Sequence, residues 1–426
     1  MKWVKFWLAV KLAFLVGVTV PVSFAAQPKA PHTAHYTVTD LGSLGGSLAQ
    51  AGGISNTGWV EGFSLLPGDD SFHVFVWHNG VMTDIGTLGG PDSFAEYRPN
   101  DFGQAGGYSE TSDPDPNGED FCGFGTQLTC LAFTWRNGVM TALPNLGGNN
   151  GSGFGSNDLG ELAGTAENTT PEPSCEGTGQ IFQYEPVFWK KGSIHELPTF
   201  PGDPVGMATA INIWGQAVGV SGPCGAGNIG VNSHALLWKN GKAIDLGNLG
   251  GQMNNFPQDI NAWGQIVGLS DLAGDATFHA FLWQKGTMKD LGTLPGDVHS
   301  NAESINDFGQ VVGKSADANF NGRAFVWQNG VMTDLNTLIP ENSTLFLLNA
   351  TSNNDWGQIV GSAVDLDTGD IHAFLATPCF GNGADKEISS NVRQLQRPSI
   401  SHPGSLRLLQ RRSGVQDRSR SNDLYR

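Results

Sequence analysis

Oxygen-bearing side chains that could hold a metal or move a proton gather in a few stretches of this 426-residue chain. The segment Asp113-Pro114-Asp115-Pro116-Asn117-Gly118 alternates such residues before a glycine. Asp317-Ala318-Asn319-Phe320-Asn321-Gly322 repeats the pattern, and Asp365-Leu366-Asp367-Thr368-Gly369-Asp370 resembles it. Ca²⁺ takes ligands from positions one, three and five of a loop that bends sharply after them. Asp113, Asp115 and Asn117, with Asp317, Asn319 and Asn321, are therefore candidate calcium ligands. The bidentate Glu expected at position twelve is missing, since Phe124 stands there. Asp, Asn and Gly are also ordinary turn formers, so a calcium loop and a plain turn both remain open.

Carboxylates also crowd residues 108–131 and 165–186, which hold Glu110, Glu119, Asp120, Glu167, Glu172, Glu176 and Glu185. Two carboxylates that face one substrate are enough for a glycosidase or a lyase. The same residues also suit a purely acidic binding loop. Glu110, Glu119, Asp120, Glu172 and Glu176 are the candidate ligand-binding residues. His73, His234, His279 and His372 recur at one spacing, as do Asp40, Asp84, Asp245, Asp290 and Asp334. Such periodic residues are expected to make structural bonds with a neighbouring strand or loop. No nucleophile elbow, phosphate loop or zinc-protease helix is present, so no catalytic residue is assigned.

The elements that must position these residues come from a repeat. A phrase running from Asn to Gly, clearest at Asn306–Gly313 and Asn261–Gly268, occurs seven times. Its Asn positions are read as Asn56, Asn100, Asn157, Asn212, Asn261, Asn306 and Asn354, each opening a tight turn that a Gly closes. A second strand then ends in Gly62, Gly107, Gly164, Gly219, Gly268, Gly313 or Gly361, where backbones are expected to approach closely. After a variable loop, a third strand carries Trp77, Trp135, Trp189, Trp238, Trp283 or Trp327, and a short Gly turn leads to a fourth. Four strands in each of seven units predict an all-β, seven-bladed β-propeller. Tyr36–Gly42 is a fourth strand with no unit before it, and the last unit lacks its fourth strand. The N-terminal strand is therefore expected to complete the last blade and close the ring. Phe102, Trp214, Trp263, Phe308 and Trp356 share one position of the first turn, with Thr57 and Leu159 in the other units. They either wedge between blades or form a ring that holds a sugar or another partner.

The strand order resembles kelch repeats. More specifically, His279-Ala280-Phe281 and His372-Ala373-Phe374, with degraded copies at His234, His73 and Arg323, resemble the bacterial extracellular repeat, HAF family. The resemblance covers roughly residues 36 to 378. It implies an exported bacterial propeller and no catalytic residues to carry over.

Export is also read from the N-terminus. Lys2, Lys5 and Lys11 precede an apolar run from Leu12 to Val22, and Ser23-Phe24-Ala25 offers a cleavage site. The expected organisation is a signal peptide at 1–25, a linker at 26–35, the propeller at 36–379 and a basic, disordered tail at 380–426. The run is too short for a comfortable membrane span. Residues 26–380 carry 36 acidic and 11 basic side chains, which disfavours nucleic acid as a partner. Five cysteines in an exported chain imply disulfides. Cys122 with Cys130 would be a local staple and Cys175 with Cys224 a tie between blades, although four cysteines allow three connectivities. Cys379 is left over. The expectation is a secreted or periplasmic monomer that binds a polysaccharide or protein through its variable loop face, with calcium as the one cofactor considered. The alternative is an extracellular carbohydrate-active hydrolase or lyase.

Overall fold

Short apolar strands separated by Gly turns can satisfy their backbone groups only by pairing, and each unit does so within itself. The computed structural model describes residues 35–175, 179–224 and 233–379. Seven antiparallel sheets of four strands follow one another around a ring. Blade 5 is representative, with strands Gly250–Ile260, Ile266–Leu272, Phe278–Gln284 and Thr287–Gly292. The third and fourth strands of blades 1 to 6 are joined by two-residue turns with positive φ at both positions, as at Asn79-Gly80 and Asn329-Gly330. That backbone twist matches the twist of the flanking strands. Glu176, residues 1–25, most of the 26–35 linker and the 380–426 tail lie outside the described residues.

The ring closes as the repeat implies. His35–Gly42 pairs antiparallel with Ile371–Cys379, from His35 opposite Cys379 to Gly42 opposite Ala373. Tyr36 is buried in the apolar layer between blades 6 and 7. His372 lies 2.9 Å from Asp40 across this seam.

The core is divided into layers between blades. Val267 and Ala280 of blade 5 pack on Ala302, Val311, Phe325 and Trp327 of blade 6. The repeated glycine expected to end each second strand instead lies within it, third from its start, as in Val60–Leu65 and Ile359–Asp365, and it makes such packing possible. A Cβ on Gly361 would lie 1.9 Å from the Asn349 carbonyl of the inner strand and 3.0 Å from the Phe374 ring. Only a residue without a side chain fits there.

The repeated Asn has two roles. Asn212 Oδ1 accepts the backbone N–H groups of Trp214 and Gln216, both at 3.0 Å, which shapes its own turn. Its Nδ2 donates to the Asn261 carbonyl of the next blade at 3.1 Å. Asn157, Asn261, Asn306 and Asn354 donate forward in the same way. The two remaining junctions are bridged by aspartates, with Asn56 N donating to Asp101 Oδ1 and Asp101 N to Asp158 Oδ1. In blade 1 the structure shifts the expected register by one residue. Ser55, not Asn56, caps the turn, accepting from the Trp59 N–H at 3.2 Å. A serine hydroxyl caps equally well but has no amide to reach forward. Asn56 instead faces back to blade 7, where its Nδ2 donates to Asp355 Oδ2 at 3.0 Å.

Candidate functional site

Antiparallel order puts every loop between second and third strands on one face, and the face is not uniform. The two longest such segments prove shorter than the sequence implies. The central strands of blade 2 extend over Ala105–Pro114 and Leu128–Arg136, and those of blade 3 over Leu162–Pro171 and Phe182–Lys190. Glu110, Glu167 and Glu185 therefore stand on strands rather than in loops. The hairpin continues because the polar residues past the core still pair, with Glu110 opposite Cys130 and Glu167 opposite Tyr184.

The extended hairpins and their loops are tied together across blades 2, 3 and 4. Cys122–Cys130 staples the blade 2 hairpin, and Cys175–Cys224 joins the blade 3 loop to blade 4. Cys379 is a free, exposed thiol. The Glu119 carboxylate of blade 2 accepts the Ile181 N–H of blade 3. Asn150, at the entrance to the inner strand of blade 3, donates its Nδ2 to Asp115 Oδ2 at 2.9 Å and to Glu167 Oε2 at 3.0 Å. Carboxylates from two blades thus converge on one buried amide.

The surroundings of three glutamates here, Glu110, Glu119 and Glu167, favour their protonated forms. Burial, helped by the neighbouring Glu119 charge, pushes Glu167 up to about 8. Burial pushes Glu110 up to about 7 against a hydrogen bond from Thr126, and the nearby Asp92 and Asp120 charges add to the rise. Burial also raises Glu119. Both Glu110 and Glu167 are fully buried, yet Glu110 Oε2 and Glu167 Oε1 have no hydrogen-bond partner among the described residues. Asp120 sits nearby, with both oxygens accepting from the Gly125 N–H at 3.0 Å. Glu172 stands apart, held below the usual range chiefly by the Gln183 amide. The structure therefore joins Glu119 to Glu167 and Asp120 to Glu110. Asn150 is unmarked by any motif, and only its place before an inner strand hints at its position.

The candidate calcium residues are engaged in turns. Asp115 Oδ1 accepts the N–H groups of Asn117 and Glu119 at 2.7 and 3.0 Å. Asp317 Oδ1 accepts those of Asn319 and Asn321 at 2.9 and 3.0 Å, and Asn321 Nδ2 donates to Asp317 Oδ2. Asp113 is exposed. These side-chain-to-backbone turns account for the alternating spacing. Among the described residues, one group of His, Cys, Asp or Glu brings three ligand atoms within 4.8 Å of one another, namely Asp40, Asp365 and His372 at the closing seam. There the Asp40 carboxylate holds the His372 imidazole above its ordinary value. Of the other recurring histidines, His73 pairs with Asp84 and His279 with Asp290 of the fourth strands of their own blades, whereas His234 pairs with Asp203 in the connection between blades 3 and 4. Arg323 replaces the histidine in blade 6 and bonds Asp297 and Asp334.

The axis of the ring carries a second polar group that no motif announces. Tyr97, from the innermost chain of blade 2, donates to Gln258 Oε1 of blade 5 at 3.2 Å. Those blades are not neighbours, so the bond crosses the channel. On the inner strand of blade 6, Asn301 Nδ2 donates to Glu303 Oε1 at 2.9 Å. Burial lifts Glu303 to about 7 despite the Lys314 charge and the amides of Asn349 and Asn301.

No family model matches the chain, and no curated protein matches it in sequence. Solved structures with some likeness include a gluconolactonase from Xanthomonas campestris, at 9% identity and TM-score 0.32 over 58% of this chain and 79% of that one. A puromycin-hydrolysing peptidase from Mycobacterium tuberculosis shows 10% identity and TM-score 0.46 over 80% of this chain and 56% of the peptidase. The BP39L lectin from Burkholderia pseudomallei shows 10% identity and TM-score 0.32 over 80% of this chain and 95% of the lectin. At these values the likenesses carry no argument about activity. The fold and the site together define a seven-bladed propeller whose loop face is specialised over three blades.

Proposed function

We propose that the chain is an exported binding module whose ligand lies on the loop face over blades 2 to 4. The observation that carries this reading is the pair of buried carboxyls, Glu110 and Glu167, each with one oxygen unpaired, beneath loops that two disulfides and a shared amide hold rigid. Rigid loops on a propeller frame are where specificity resides. The half-buried carboxylates of the loops above them, Asp120 and Glu172, suit a ligand rich in hydroxyl or amino groups, such as a polysaccharide or a protein segment. The two disulfides and the HAF-type resemblance favour an oxidising compartment outside the cytoplasm. Among the described residues no helix is long and apolar enough to cross a membrane.

One observation favours a second reading. A carboxyl held at about 7, as at Glu110, can act as a general acid. A hydrolase or lyase would use it with Asp120 or Glu119. A screen of polysaccharides and peptides for binding and for turnover tests both readings. Binding without turnover, weakened tenfold or more by Glu119→Gln with Glu110→Gln, is the expected result. Turnover abolished by Glu110→Gln would replace the first reading with the second. Loss of neither binding nor turnover in the double variant would sink both.

A further inference from the structure

The turn aromatics neither bury nor wedge between blades. Phe102, Trp214, Trp263, Phe308 and Trp356 are 62%, 74%, 74%, 74% and 67% exposed. By contrast Trp189 and Trp238 of the third strands are 2% exposed. The first turns lie at the end of each blade opposite the second-to-third loops, so these side chains ring the other face. Blades 4, 5, 6 and 7 carry four of them in succession.

Three of the rings are also fixed. Trp214 Nε1 donates to the Ala262 carbonyl, Trp263 Nε1 to that of Asp307 and Trp356 Nε1 to that of Asn56, each at 2.9 Å on the following blade. One edge of each indole is held while most of its surface meets water. A ligand that stacks on such a ring has little side-chain entropy left to remove.

We propose that this ring of aromatics is a second binding face, which stacks the sugar rings of a neutral polysaccharide. The polar residues between the aromatics select that occupant. Asp101, Asp158, Asp307 and Asp355 each precede a turn apolar residue, Phe102, Leu159, Phe308 and Trp356 respectively. A continuous apolar partner laid over this face would strip water from those carboxylates at considerable cost. A pyranose presents C–H groups to an aromatic face and hydroxyls to the neighbouring carboxylates. The formal charge of −17 repels polyanions, anionic lipid surfaces and a second copy of the same face. One aromatic on each of several blades makes separate weak sites, and a polymer can engage them together. The site lies on the opposite face from the loop site and does not depend on it.

The test is affinity electrophoresis of the mature chain in gels containing a neutral β-glucan, xylan or mannan, with tryptophan fluorescence followed in solution. Retardation in at least one gel and a change in emission are expected. Trp214→Ala/Trp263→Ala/Trp356→Ala should weaken retention by about tenfold or more, since each stacked ring contributes a modest share. The triple Phe variant loses the Nε1 bonds but keeps a stacking surface, and should stay within about threefold of the wild type. Leu366→Ala, an exposed side chain in the second-to-third loop of blade 7 and so on the other face, should leave retention unchanged. The proposal is overturned if no neutral polysaccharide retards the chain. It is equally overturned if the Phe variant, shown by its melting curve to be folded, binds as poorly as the Ala variant. Retention by anionic polymers or vesicles alone, or concentration-dependent self-association abolished by the Ala variant, would also overturn it.

Discussion

The side chain that sets the chemistry of the loop face is Glu167, and its behaviour follows from three donors and one empty oxygen. Its Oε2 accepts from Asn149 N, Asn150 N and Asn150 Nδ2, while Oε1 is unpaired and buried. A protonated carboxyl, or a glutamine with its amide nitrogen at Oε1, fits the same place. Glu167 titrates at about 8 in the folded chain against an ordinary 4.5. Between those values the native state binds more protons than the unfolded one, so stability falls as pH rises through that window. Glu167→Gln is expected to flatten this slope and to raise Tm at pH 8 by about 2–5 °C, with little change at pH 4.5. Thermal melts across pH 4–9 check it, and a slope equal to that of the wild type would show that Glu167 is ionised at neutral pH. Little of this was legible beforehand. Glu167 and Glu119 are visible as loop acids, but their approach depends on Asn150, whose partners come from two different blades. The repeat Asn and Gly positions were legible because each copy restates the same local need. Ser55 escaped that reading because a hydroxyl meets the need as well as an amide does.

At the scale of elements, the strands were readable and their ends were not. Alternation and Gly turns fix where each hairpin begins. The extra pairing that carries blades 2 and 3 outward, up to Pro114 and Pro171, involves polar residues without a core pattern. The cysteines in the same segments were legible as candidates for bridging, and two of the three possible pairings could be rejected only with the fold in hand. Their stabilising effects should differ. Cys122–Cys130 closes 8 residues and Cys175–Cys224 closes 49. Loop-closure entropy gives about 2.5 kcal/mol for the first and about 4 kcal/mol for the second. Cys175→Ser/Cys224→Ser should therefore lower Tm more than Cys122→Ser/Cys130→Ser, by roughly 3 °C or more. Calorimetry of the two double variants decides it. An equal loss would mean that the blade 3–4 tie is redundant with packing around Tyr184 and Val205.

For the whole molecule, closure is the controlling feature. The first and last strands of the ring are more than 300 residues apart, yet they pair from His35 opposite Cys379 onward. The closing strand buries Tyr36 and places Asp40 against His372. Deleting residues 35–42 should leave Ile371–Cys379 as an unpaired edge. The expected outcome is a fall in Tm of roughly 10 °C or more, a broader transition and concentration-dependent aggregation. Calorimetry with light scattering measures both. An unchanged, single sharp transition would mean that the inter-blade layers hold the ring without its seam. This closure was the most legible feature of the sequence, because an orphan first strand and a missing last strand are both countable. The polar group on the axis was the least legible, since Tyr97 and Gln258 meet only when distant blades face each other.

The forward-pointing bonds between first turns also bear on how such a chain can change in size. At all seven junctions a donor on one blade meets an acceptor on the following blade, and blade 7 meets blade 1 in the same sense. A copied unit inserted into this circle would bring one new donor and one new acceptor, and would leave none unmatched. Hydrogen bonding is therefore indifferent to the number of blades. What limits that number is the wedge angle set by the side chains between sheets, so duplication of a unit would be resisted by geometry and not by chemistry.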